Sequence, residues 1–302
     1  MYNILTLSKY YSYMELMIGF HVSIAGGIYE SVNNALKIGC TAFQIFTRNP
    51  RGWAEKKLND ADIKIFKAQL NNSGIRPEAV AVHMPYLPNL SAPMSELHMK
   101  SVNSLASELR RSAQLGIPNL VVHLGSHMGA GLERGIDSLV NSINTALDQF
   151  RSNYKKGGAT ILLENSAGHK NSVGSRLEEI SMILDRLSSK YIGVCIDTCH
   201  AFAAGYDLRT TEMVSTFEDN LETTIGLNKI RLLHLNDSKK ALGANADRHE
   251  HIGLGEIGSN GVAAILQNKK LNNRPIVMET PKDSVRDDKG NLAEVLKLSK
   301  SE

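Results

Sequence analysis

Eight short, nearly continuous apolar runs punctuate the chain, at 17–23, 42–47, 79–84, 119–125, 160–166, 192–198, 230–236 and 275–281. Continuous rather than alternating hydrophobicity predicts parallel strands covered on both faces. Between these runs the apolar spacing lengthens to that of a helix. At 59–73 the recurring residues are Ile63, Phe66 and Leu70, and at 175–188 they are Leu177, Ile180, Leu184 and Leu187. Gly39, Gly74 and Gly116 fall where helices must stop before the next strand. Eight strand-then-helix repeats predict an α/β fold, a single (β/α)8 TIM barrel spanning 17–302, with residues 1–16 as an N-terminal extension. An open doubly wound sheet is the competing arrangement. It asks for a Gly-rich phosphate turn after the first strand, and HVSIAGG at 21–27 lacks the GxGxxG form.

The polar residues of these runs recur at one place. His83, His123, Glu164, Asp197, His234 and Glu279 each stand near the C-terminal end of an apolar run, and His21 holds the same place on the first. In an α/β barrel these ends converge on the face that carries the active site. Any one of them has an ordinary structural reading, a hydrogen-bonded His or a Glu capping the next helix. Six repetitions at the same strand position are not what independent structural roles produce, and such groups are costly to desolvate unless paired or bound to cations.

Two loops add to the set. Asp197-Thr-Cys-His200 places a second ligand type three residues on, and Asp247-Arg-His249 lies in the long connection 236–258 after the seventh run. That connection exceeds the usual 2–6 residues or so, which points to function, and Gly253, Gly255 and Gly258 would shape a tight loop under the cluster. The nine candidates His83, His123, Glu164, Asp197, His200, His234, Asp247, His249 and Glu279 mix imidazole with carboxylate and include no Cys. This donor set suits Zn2+ or Mn2+ better than Mg2+ alone, and nine ligands would serve about three ions. Paired ions activate a water and clamp the oxygens of an in-line phosphoryl displacement.

The remaining His divide by context. His98 lies on a helical stretch and is expected in solvent, His127 reads as supporting or surface, and His169 lies in a polar loop. His251 either supports the cluster or faces water, while His21 could orient a ligand or contact a phosphate. Cys40, Cys195 and Cys199 are poor material for a disulfide framework and read as packing residues.

Charge changes the picture little. Lys and Arg number 34 and Asp and Glu 31, a net +3 that excludes a histone-like arm or an acidic tail but leaves a polyanionic partner open. No apolar run approaches the roughly 20 residues that span a bilayer. The first 16 residues lack the regions of a signal peptide, so a cytoplasmic location and no membrane partner are expected. Thr47-Arg48-Asn49-Pro50-Arg51-Gly52-Trp53 reads either as a phosphate-and-stacking platform or as a surface loop anchored by a packed Trp. Tyr86-Leu87 after His83 could wedge into a base stack or pack the barrel top.

Taken together, HVSIAGG, FTRNPRGW, HMPYLPNL, CIDTCHAFAAGYD, HLNDS and DRHEHIGLGEIG resemble the endonuclease IV family of apurinic/apyrimidinic endonucleases over about residues 17–281. The resemblance implies a barrel with three Zn2+ ions (Mn2+ possible) that cuts duplex DNA 5′ to an abasic site and leaves a 3′-hydroxyl. It implies that His83 and His123 hold one ion and that Glu164 bridges it to a second, which also takes Asp197, His234 and Glu279. His200, Asp247 and His249 would hold the third. Glu164 and Glu279 would be catalytic, with a hydroxide attacking the phosphorus, and Arg51 and Tyr86 would enter the DNA around the lesion. The expected partner is double-stranded DNA with abasic sites or blocked 3′ ends, bound by a monomer. Two stretches depart from the family pattern, KKALGANA before DRH and HMPY in place of His-x-Ser-Tyr, and neither departure replaces a candidate ligand.

Two other functions compete. A sugar isomerase or epimerase on the same barrel also uses rim His and carboxylates, but one or two ions suffice, which leaves His200, Asp247, His249 and the Arg-Trp loop unexplained. A lesion-binding barrel with structural metals would place its ligands in closed, Cys-rich sites rather than at an open rim.

Overall fold

A computed structural model describes residues 16–153, 158–187 and 190–300. The expected N-terminal extension, apart from Leu16, and residue 188 at the end of the helix expected at 175–188 lie outside the described residues. Eight parallel strands close into a barrel in the order β1 (Ile18–His21), β10 (Ile276–Met278), β7 (Ile230–His234), β6 (Ile192–Asp197), β5 (Thr160–Glu164), β4 (Asn119–His123), β3 (Val80–His83) and β2 (Ala42–Ile45). Each lies within an expected run and is shorter than it, because the final residues of each run leave the sheet to build the rim. The long connection after β7 holds one structure the apolar pattern did not announce. Asp237–Ser238 (β8) and His249–Glu250 (β9) form a two-stranded antiparallel ribbon.

Helices α1 (Glu30–Ile38), α2 (Asp60–Asn72), α3 (Glu96–Leu115), α4 (Leu132–Asn153), α5 (Leu177–Arg186), α7 (Thr211–Thr224), α8 (Gly258–Gln267) and α9 (Asp288–Leu298) follow strands in turn. The six-residue α6 (Thr198–Ala203) follows β6 directly. Local chemistry sets their ends. The Asn59 side chain accepts the Ala61 N–H, Asp60 and Asp62 stand in the first turn of α2, and Ile63, Phe66 and Leu70 are buried as the spacing predicts. Gly39 and Gly116 end α1 and α3 in the left-handed conformation, which lets backbone N–H groups return to the last-turn carbonyls.

Two cores separate cleanly. Between sheet and helices lies the larger one, with Val80, Val82, Leu120, Val122, Ile161, Leu163, Val194 and Ile196 facing outward from the strands. Inside the barrel is a layer of six residues, Ala81, Val121, Leu162, Cys195, Leu232 and Val277, one from each of six strands. This is the side-chain layering that makes a closed barrel a packed core and not a pore.

His98 departs from expectation. It is buried, and its Nε2 lies 3.2 Å from Ser142 Oγ on α4. The helical stretch faces a neighbouring helix here, so Nε2 finds its partner inside the protein and not in water. Among the described residues no helix is long and apolar enough to cross a membrane.

The inner layer tolerates little loss of volume. Leu162→Ala should destabilise the fold by about 2–5 kcal/mol, read as a lower denaturant midpoint at unchanged slope. A change under ~1 kcal/mol would mean that the layer is not close-packed.

Candidate metal centre

The alternation of a strand places side chains two residues apart on the same face. Two positions beyond Ala81, Val121, Leu162, Cys195, Leu232 and Val277 stand His83, His123, Glu164, Asp197, His234 and Glu279. The strand register that packs the interior therefore also turns these six groups into the barrel mouth. β1 and β2 contribute His21 and Gln44 to the same rim. His200 comes from α6 and Asp247 and His249 from the connection after β7, so all nine candidates converge.

Glu164 is the hub. Its Oε2 lies 3.1 Å from His83 Nε2 and 3.1 Å from His123 Nε2, and its Oε1 lies 2.9 Å from His234 Nδ1. On one side His83, His123 and Glu164 gather their ligand atoms closely enough for one ion, and on the other Asp197, His234 and Glu279 do so. A third group joins His200, Asp247 and His249, with Asp247 Oδ2 3.2 Å from His200 Nε2 and Oδ1 3.2 Å from His249 Nε2. Asp197 also caps α6, accepting the His200 N–H at 2.8 Å. His83, Glu164, Asp197, His200 and His234 are buried, whereas His123, Asp247, His249 and Glu279 keep an edge to solvent. The mouth is closed below and open above.

Hydrogen bonds settle which ring nitrogen faces the cluster. Nδ1–H of His83 donates to the Met84 carbonyl (2.7 Å), that of His200 to Asn165 O (2.9 Å) and that of His249 to Glu279 O (3.0 Å). A carbonyl can only accept, so Nε2 is the nitrogen each ring turns to the neighbouring carboxylates, where it can carry a proton in the bare protein or offer a lone pair to an ion. His249 Nε2 is buried without a hydrogen-bond partner although two carboxylates stand near it, which is the arrangement of side chains that share a metal ion. The mixed nitrogen and oxygen donors fit zinc or a similar divalent ion. Cys199 also lies near Asp197 and His249, but burial pushes its thiol pKa up and its S–H points to the Arg248 carbonyl, so it takes a packing role.

Electrostatics tell the same story. Burial would raise Glu164, yet His234 and His123 outweigh it and hold the carboxyl well below its usual range. Glu279 is lowered too, by His234 and His21 against the burial effect. Burial would likewise lower the imidazoles, but Asp197 and Asp247 hold His200 at about 10, and the same two carboxylates hold His249 at about 9. Protonated rings supply, in the bare protein, the positive charge that the carboxylates require.

Other residues organise the site without being anticipated. Gln44, buried on β2, touches Glu279, His21 and His234. Asn236 donates to Asp197 Oδ2 (2.6 Å) and accepts the Glu279 N–H (2.8 Å). Gln44 is the one polar residue inside AFQI, a signal in the sequence that a pattern of ionisable residues does not include. Asp237 anchors the connection that carries Asp247 and His249, its carboxylate accepting the N–H groups of Gly253, Gly255, Ile257 and Gly258. Gly255 is required by close approach, since a Cβ there would fall 2.4 Å from Ser238 O and 2.5 Å from Asp237 Oδ1.

The spare His resolve in place. His251 is buried between Asp283 (2.9 Å) and Asn291 (3.0 Å), and His127 Nδ1 accepts the Gly129 and Gly131 N–H groups. His169 Nε2 lies 3.4 Å from the Asp247 N. His21 Nδ1 lies 3.2 Å from Glu279 Oε1.

Beside the open edge stand Arg51 and Tyr86, both exposed, on loops joined by the Tyr86 N–H donating to Pro50 O (3.1 Å). The Tyr86 ring meets Phe46 edge-on at 5.1 Å. Arg48 is a correction to the idea of a two-arginine platform. It turns inward, pairs with the buried Glu108 at 2.8 Å and bonds the Trp53 carbonyl. Arg111 bonds Thr47 and Lys56 O from the same helix, so the loop is clamped to α3 and, of its two arginines, Arg51 is the one free for a ligand.

A closed barrel with three adjoining trios of candidate metal ligands at its mouth has the architecture of a metal-dependent TIM-barrel enzyme. Residues 32–302 match the AP endonuclease 2 family, described as a xylose isomerase-like TIM barrel. A protein named "Probable endonuclease 4" from Cenarchaeum symbiosum (strain A) is 50% identical over 278 residues, covering 92% of this chain and 97% of that one. The crystal structure of endonuclease IV from Thermus thermophilus superposes with a TM-score of 0.82 at 35% identity, covering 93% of this chain and 98% of the other. A D-tagatose 3-epimerase-like structure shares the fold, with a TM-score of 0.69 at 19% identity over 94% of this chain and 97% of that one. The chain belongs to the endonuclease IV family and is a nuclease.

The raised imidazoles have a pH consequence. Their contribution to stability is complete below the ordinary histidine value of 6.5 and is lost as pH rises through about 9 to 10. Chelator-treated protein should therefore lose thermal stability from pH 6.5 to 10, more steeply than zinc-loaded protein, in which the ions replace those protons. Parallel melting curves for the two forms would contradict this.

Proposed function

We propose that this protein hydrolyses the phosphodiester 5′ to an abasic site in duplex DNA, leaving a 3′-hydroxyl and a 5′-deoxyribose phosphate, with three zinc ions held by the nine convergent side chains. The observation that carries this reading is the joining of three ligand trios in one mouth, with Glu164 presenting one oxygen to each of two groups. His83 and His123 would complete the first ion, Asp197, His234 and Glu279 the second, and His200, Asp247 and His249 the third. Bound zinc would supply an ionised water at neutral pH and positive charge opposite the developing oxyanion and the leaving oxygen.

The protein's own groups do the rest. Glu164 and Glu279 keep their charge across the working pH range, because the surrounding imidazoles depress both carboxyls. The Nδ1–H bonds of His83, His200 and His249 lock the rings so that no reorientation accompanies binding. Arg51 offers a free guanidinium for phosphate, and Tyr86, with Leu87 exposed beside it, offers an apolar wedge at the point where a base is missing. Backed by Phe46, the Tyr86 ring has a firm support. The same mouth would accept blocked 3′ ends, and the protein would work as a cytoplasmic monomer on DNA. A sugar isomerase reading leaves the trio of His200, Asp247 and His249 without a task.

The decisive assay uses a duplex with a single abasic analogue, with and without chelator, and expects a chelator-sensitive nick 5′ to the lesion. Absence of that nick overturns the proposal. Glu164→Gln should lower turnover on the order of 1,000-fold while the circular dichroism spectrum is kept, since it removes the charge that faces two of the ligand groups. Arg51→Ala should raise KM for the duplex and flatten its dependence on salt by about one phosphate contact. Equal KM and equal salt slope would remove Arg51 from the DNA interface.

A further inference from the structure

β2 is the barrel strand whose rim residue is not ionisable, yet Gln44 occupies the inward position held elsewhere by His, Asp or Glu. Its amide is buried, with Nε2 2.8 Å from Glu279 Oε1 and Oε1 2.9 Å from His234 Nε2. The orientation is forced. With the amide reversed, its oxygen would stand 2.8 Å from a carboxylate oxygen, two acceptors facing each other away from water. The NH2 therefore faces Glu279, the amide oxygen faces His234, and His234 must carry its proton on Nε2 to donate to it. In the neutral ring this leaves a lone pair on Nδ1, the atom 2.9 Å from Glu164 Oε1, 3.8 Å from Asp197 Oδ2 and 3.9 Å from Glu279 Oε2. A lone pair among three carboxylate oxygens calls for a cation between them. The same amide engages Glu279 through Oε1, so Oε2 is the oxygen left to face that ion.

His83, His200 and His249 have their ring proton fixed by backbone carbonyls. His234 has no such carbonyl in its hydrogen-bond set, and presents Nδ1 rather than Nε2 to the cluster. Its lock must come from a side chain. We propose that Gln44 is a positioning residue of the metal centre, which holds His234 in the tautomer that can ligate and turns Glu279 toward the same ion. This inference rests on the metal-dependent reading above and extends it to a strand that supplies no ligand.

The test uses the full chain loaded with zinc, as wild type, Gln44→Met and Gln44→Ala. Metal content is measured by mass spectrometry, and zinc release is followed with a chromogenic chelator. Outer partners of ligands are worth about 10- to 100-fold in metal affinity. One class of zinc should therefore be bound about 10- to 100-fold more weakly in both variants, with the remaining zinc unchanged and the circular dichroism spectrum preserved. Met restores the volume of Gln without its amide, so a purely packing role predicts that Gln44→Met retains zinc as the wild type does. That outcome overturns the inference. If Gln44→Met does not fold, Gln44→Ala gives the same comparison, and unaltered release there is equally fatal. Wild-type protein that binds no zinc overturns the metal reading itself, which separates the two failures.

Discussion

Four carboxylates share the mouth of one barrel, and their mutual repulsion is the constraint around which the rest of the site is arranged. Glu164 and Asp197 are buried, and Asp247 and Glu279 only partly reach solvent. Such a group is stable only with compensating positive charge. In the bare protein the imidazoles of His123, His200, His234 and His249 provide it by holding protons above their ordinary range, despite burial that works against them. Divalent ions would do the same with more charge in less space, and would leave the rings neutral. The chemistry proposed for the site is thus an outgrowth of what the fold needs in order to bear these charges at all.

The barrel makes that concentration of charge possible. Strands alternate, so the layer of Ala81, Val121, Leu162, Cys195, Leu232 and Val277 plugs the interior while the next inward residue of each strand projects above it. A dry floor beneath the ligands strengthens every electrostatic interaction in the mouth. Around it, amides do the fine positioning: Asn236 on Asp197 and Glu279, Asn165 on the Asp197 backbone and Gln44 on His234 and Glu279, while the Asn165 backbone carbonyl holds His200. Outside the mouth, two clamps hold the loops that approach a ligand. The Asp237 carboxylate gathers four glycine-loop N–H groups under His249, and Glu108 with Arg111 fastens the Arg48–Trp53 segment to α3.

Much of this was legible in the chain. The eight apolar runs correspond to the eight barrel strands, and the recurrence of ligand types at their ends anticipated the residues that meet in the mouth. His200, Asp247 and His249 stand out as candidates by their spacing, although they sit on a short helix and a ribbon-bearing loop that the apolar pattern does not reveal. Misplacements have a common cause. Arg48 and His98 look like surface residues because charge and polarity usually mean solvent, and each is drawn inside by a partner far along the chain, Glu108 or Ser142.

By itself, then, the sequence determined the fold and the candidate inventory of the site: continuous apolar strands, amphipathic helices and a ligand-type residue two steps above each inner-core residue follow from local periodicity, and the three remaining candidates from their spacing in the loops. Tertiary structure alone decided how that inventory is wired. Which ring nitrogen faces the cluster depends on Met84, Asn165, Glu279 and Gln44, whose acceptors arrive from other strands or from a neighbouring backbone turn. Which arginine is free depends on Glu108, 60 residues from Arg48. Hydrogen bonds are directional and short, so their partners are set by where distant segments come to lie once the barrel closes. No period in the chain records that.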